Sequence, residues 1–110
     1  MTGASRWLWL MGLGLTTASA SAQTLAGDPQ WMAQKCSLYT QAWQALTSGQ
    51  GGDGLGAEFL SRHDAFLASG CTARADVCPT NAAERGVADA VSMMAVAEGM
   101  AGSFLPFACR

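Results

Sequence analysis

All four cysteines of this 110-residue chain, Cys36, Cys71, Cys78 and Cys109, lie in its C-terminal three-quarters. An even number of cysteines in a short exported chain reads as a disulfide framework. A domain this small buries only a modest core and is marginally stable without such staples. The feature that most limits the fold is therefore the pair of bridges these residues can make, provided the chain is exported.

The N-terminus carries the signs of export. Arg6 supplies a positive start, Trp7 to Leu15 is a short uncharged apolar run, and Thr16 to Ala22 is small and polar. Ala20-Ser21-Ala22 fits a small-residue cleavage site. Residues 1–22 therefore read as a secretory signal peptide, and residues 23–110 as one disulfide-stapled helical domain. The apolar run is far shorter than the roughly 20 residues that span a bilayer, so no transmembrane anchor is expected after cleavage. The expected location is secreted or periplasmic, and the alanine-rich composition suggests a bacterium.

Three helices are expected. Asp28-Pro29 can cap and open the first. Met32, Cys36, Tyr39, Trp43 and Leu46 then form one stripe. A glycine-rich loop over residues 49–56 ends it. The second helix spans about 57–69, with Phe59, Leu60, His63, Phe66 and Leu67 on one face and Gly70 beyond its end. Asn81 to Glu84 resembles a capping box and opens a third helix over about 82–101. Its first half turns Glu84, Arg85, Asp89 and Ser92 toward water. Its second half (Met93, Met94, Val96, Ala97, Met100) is apolar almost all round, which predicts cover by another element. The apolar tail Phe104-Leu105-Pro106-Phe107 is a candidate for that cover. The expected fold is all-α: a three-helix up-down-up bundle with a disulfide-pinned apolar C-terminal tail.

Four cysteines allow three pairings. In an up-down-up bundle Cys71 and Cys78 flank the second turn, and a tail extending at about 3.3 Å per residue reaches Cys36. That favours Cys71–Cys78 with Cys36–Cys109. The alternative, Cys36–Cys71 with Cys78–Cys109, requires the tail to run back along a helix about 30 Å long.

The formal net charge is −2, and more negative once Arg6 is removed. This disfavours nucleic acid and anionic membranes as partners. No C-x-x-C, haem-attachment, P-loop, EF-hand or G-x-S-x-G motif is present. With its thiols oxidised, the chain is expected to use no cofactor, metal or cysteine nucleophile. Met93, Met94 and Met100 read as core filling rather than copper ligands. Glu98 borders the apolar face of the third helix, either reaching solvent or marking a pocket or a partner contact. Trp31, Trp43, Phe104 and Phe107 are large for so small a domain. If the tail stands free, Phe104, Leu105 and Phe107 become an interaction surface.

Arg62-His63-Asp64 on the second helix, the preceding glycine-rich loop and Asp89 on the third resemble the secreted phospholipase A2 arrangement. The resemblance implies a calcium-dependent hydrolase with His63 as base, Asp64 as metal ligand and Asp89 as orienting acid. That family has a cysteine shortly before its His-Asp pair, where this chain has Leu60 and Ser61. Read from the residues alone, His63 is a core or boundary histidine with one satisfied nitrogen, and Asp89 pairs with Arg85 at i,i+4.

No complete catalytic set accompanies the surplus apolar surface. The chain is accordingly expected to be a non-enzymatic binding or accessory protein of the bacterial periplasm, acting on a protein partner. A calcium-dependent hydrolase and a structural subunit of an envelope complex are the alternatives.

Overall fold

A computed structural model describes residues 28–110, so the expected signal peptide and cleavage site lie outside the described residues. Three helices are present: α1 (Pro29–Thr47), α2 (Ala57–Ala68) and α3 (Ala82–Ala97). Short 3-10 turns follow at Gly49–Gly52 and Gly102–Phe104. Among the described residues there is no strand, only an isolated parallel bridge between Val77 and Phe107. No described helix is long and apolar enough to cross a membrane.

Local chemistry sets the helix ends. The Asp28 carboxylate accepts from the Gln30 amide at 2.8 Å, and Pro29 occupies the first turn. Asn81 Oδ1 accepts from the Glu84 amide at 2.8 Å. α3 stops at Ala97, four residues short of the expected end. There Gly99 adopts φ 91°, and the amides of Gly99 and Met100 bond back to Val96 and Ala95. This is a Schellman stop, and glycine takes the left-handed position without a Cβ penalty.

The helix directions differ from the expected up-down-up order. Pairs between α1 and α2 run in opposite sequence sense: Trp43 meets Phe59, and Tyr39 meets Phe66. Cys36 meets Cys71 further along. These two helices are antiparallel. α3 then starts beside the start of α2, because the Gly56 amide donates to Glu84 Oε2 at 2.8 Å and Asn81 Nδ2 donates to the Gly54 carbonyl. α2 and α3 therefore run in the same direction. The connector from Cys71 to Asn81 is a full return along the bundle rather than a turn.

The C-terminal tail makes a second return alongside it. The Val77 amide bonds to the Pro106 carbonyl, and the Ala108 amide to the Val77 carbonyl, both at 3.0 Å. This brings Cys109 to Cys78. The bridges are Cys36–Cys71 and Cys78–Cys109, with Cα–Cα distances of 5.5 and 4.6 Å. The pairing expected from an up-down-up bundle is thus overturned. With α3 ending at Ala97, the tail has about eleven residues to cover a helix of about 24 Å, well within its reach.

The core lies between α1, α2 and this tail. Tyr39 and Trp43 from α1 meet Phe59, His63 and Phe66 from α2, with Phe104 stacked edge-on to Tyr39 and Phe66. α3 contributes smaller buried groups, Val87, Ala88, Val91 and Ala95.

Candidate functional site

His63 is fully buried. Its ring stacks on Trp43 with centroids 3.5 Å apart, and Phe107 lies parallel to it at 6.0 Å. Nε2 is 2.7 Å from the Tyr39 hydroxyl, while Nδ1 has no hydrogen-bond partner. Burial pushes the imidazole pKa down to about 4 and the Tyr39 hydroxyl well above its ordinary range. At neutral pH both groups are therefore uncharged.

The set implied by the phospholipase resemblance is not assembled around this ring. Asp64 and Asp89 are exposed, and the hydrogen-bond partner of His63 is a tyrosine. Among the described residues no group of three or more His, Cys, Asp or Glu side chains is placed to hold a metal ion. Nor do Arg85 and Asp89 pair. The ion pairs among described residues join Arg62 to Glu58 and to Asp76, each at 3.0 Å.

Glu84 is 2% exposed rather than turned to water. Its carboxylate accepts from the amide and hydroxyl of Thr80 at 2.7 and 3.0 Å, and from the Gly56 amide. Those bonds, the Thr80 amide first, hold its pKa below the ordinary carboxylate value. A Cβ at residue 56 would sit 2.9 Å from Glu84 Oε2, so glycine there permits the approach. The capping-box pattern located Glu84 on the first turn. What was not legible was that a second helix start would share its carboxylate.

Phe104 is buried, and Leu105 and Phe107 are half-buried against the core. The tail is thus a strap across α1 and α2, and it leaves the outer end of α3 uncovered by any described residue. Met93 is 73% exposed, Val96 55% and Met94 39%. Met93, Val96 and Ala97 are neighbours on α3 at i,i+3 and i,i+4 spacing. Beside them Leu38, Ala42 and Ala45 of α1, Met94 and Ala97 of α3 and the α3 C-cap Glu98 line a shallow groove of ≈ 370 Å³.

Lys35 is the other residue whose position the apolar stripe did not reveal. It is 6% exposed, with its ammonium 5.0 Å from the Phe104 ring centroid and 5.7 Å from that of Trp31. The signal was present in the spacing: Lys35, Tyr39 and Trp43 are four apart and share the buried face of α1.

Comparison with known protein families, characterised proteins and solved structures gives no match.

Proposed function

We propose that the chain is an exported, non-enzymatic binding protein of the bacterial periplasm that engages a protein partner through the C-terminal half of α3. The observation that supports this most is the exposure of Met93 and Val96, at 73% and 55%, on a helix whose neighbouring core is otherwise well covered. Methionine side chains are flexible and polarisable and suit an adaptable apolar contact. Contiguous exposed apolar surface marks interaction sites. The groove beside this face carries one charged group, the exposed Glu98, and no cation. The partner that fits is an amphipathic helix of another exported protein, its apolar ridge on Met93 and Val96 and a lysine or arginine facing Glu98.

The test is site-specific photo-cross-linking in the exporting cell, with the reactive side chain placed at residue 93, 96 or, as a control, 64. The reading predicts one discrete adduct from positions 93 and 96, none from 64, and loss of that adduct when the remaining member of the pair is changed to Glu. Equal labelling from all three positions, or none from any, contradicts it.

A further inference from the structure

At the opposite end of α3 from its start, a cavity of ≈ 430 Å³ opens between α1, the first residues of the connector and the beginning of the tail. Its lining includes two cations, Lys35 and Arg74, and no acidic residue. Met32, Phe104 and Leu105 form an apolar wall, and Thr72 and Ser103 bring hydroxyls.

Lys35 is the unusual member. A lysine this buried is ordinarily paired. Among the described residues no carboxylate lies within 4 Å of its ammonium, since both ion pairs there belong to Arg62. Nor can residues 1–27 supply one, because the sequence contains no Asp or Glu before Asp28. The faces of Phe104 and Trp31 offset part of the charge. An anion seated in the cavity could accept from its three N–H donors. Arg74, likewise without an acidic partner, adds a second positive charge on the same wall.

The walls are fixed before any ligand arrives. Cys71, at the start of the connector segment, is tied to α1 by its disulfide and holds φ 63°. Phe104 is clamped between Tyr39 and Phe66. A preformed site loses little freedom on binding.

From this geometry we infer that the cavity is a binding site for a small organic carboxylate with an apolar tail. The carboxylate receives hydrogen bonds from Lys35 and Arg74, and the tail lies against Met32 and Leu105. The site is separate from the exposed face of α3 and does not depend on the partner proposed for it.

The experiment titrates hexanoate into the oxidised protein as purified from the exporting cell, following tryptophan fluorescence and the heat of binding, with hexanol as the uncharged control. Saturable hexanoate binding that weakens as salt rises is expected, with none for hexanol. Lys35→Met, which keeps the length and removes the charge, is expected to weaken binding on the order of tenfold or more. Arg74→Gln, at an exposed position, weakens it on the order of threefold. Should Lys35→Met fail to fold, Arg74→Glu reads the same site without touching the core and is expected to abolish binding. Absence of saturable hexanoate binding, equal binding of hexanol, or hexanoate affinity unchanged by the Arg74 substitutions overturns the inference.

Discussion

The Tyr39 hydroxyl and His63 Nε2 meet at 2.7 Å inside the core, joining the middle of α1 to the middle of α2. Nothing charged accompanies them. Aromatic rings enclose the pair, and the second ring nitrogen of His63 is unpaired. The bond is therefore a neutral one in a low-dielectric setting, where losing a partner is costly.

Tyr39→Phe removes one hydroxyl and leaves His63 with both ring nitrogens unsatisfied. The expected loss is about 1–3 kcal/mol. For a domain of this size that lowers the melting temperature by roughly 4–8 °C per kcal/mol. Calorimetry of the oxidised protein checks it. A variant as stable as the parent would mean that the bond contributes nothing.

Acid should destabilise the fold over a defined window. The His63 pKa is depressed to about 4 in the folded chain, against about 6.5 when unfolded. The unfolded chain therefore takes up the proton first. The stability attributable to the neutral ring is complete above pH 6.5 and declines as pH falls, by about 2 kcal/mol at pH 5 and about 3 kcal/mol at pH 4. Glu84 adds to the loss lower down, because its depressed pKa means that stability present above its unfolded value disappears as pH falls through the folded one. Denaturant melts between pH 4 and 7 should show the slope, and His63→Gln should flatten it above pH 4.5.

Glu84→Gln is expected to cost about 2–3 kcal/mol, since a carboxamide offers one acceptor oxygen where three donors converge. Hydrogen exchange should rise first at Gly56 and Thr80, whose amides lose their acceptor. Unchanged protection at both would show that the carboxylate does not hold the two helix starts together.

The starts of α1 and α3, the glycine-rich break between α1 and α2, and the stripe through Tyr39 and Trp43 were legible because each rests on local chemistry. Asp28, Pro29, Asn81 and the four-residue spacing act within a turn or two. The direction of α3 was not legible. It depends on whether residues 71–81 turn or return, and composition does not separate a tight loop from an extended crossover. The disulfide pairing follows from that direction, and from α3 ending at Ala97 and not near residue 101, which frees enough tail for Cys109 to reach Cys78. Gly99, at φ 91°, is the residue that carries this stop. The exposed face of α3 was misjudged for a related reason: the apolar tail that might have covered it is drawn instead across Tyr39, Phe59 and Phe66 by Cys78–Cys109.

Both proposed surfaces rest on those two return paths, and the disulfides report them directly. Lys35, Arg62, Arg74 and Arg85 place each cysteine in its own tryptic peptide: 36–62, 63–74, 75–85 and 86–110. Mass spectrometry of the non-reduced digest therefore reads the topology without ambiguity. The fold described here predicts that 36–62 is linked to 63–74, and 75–85 to 86–110. Linkage of 63–74 to 75–85, with 36–62 joined to 86–110, would restore the up-down-up bundle and contradict the account.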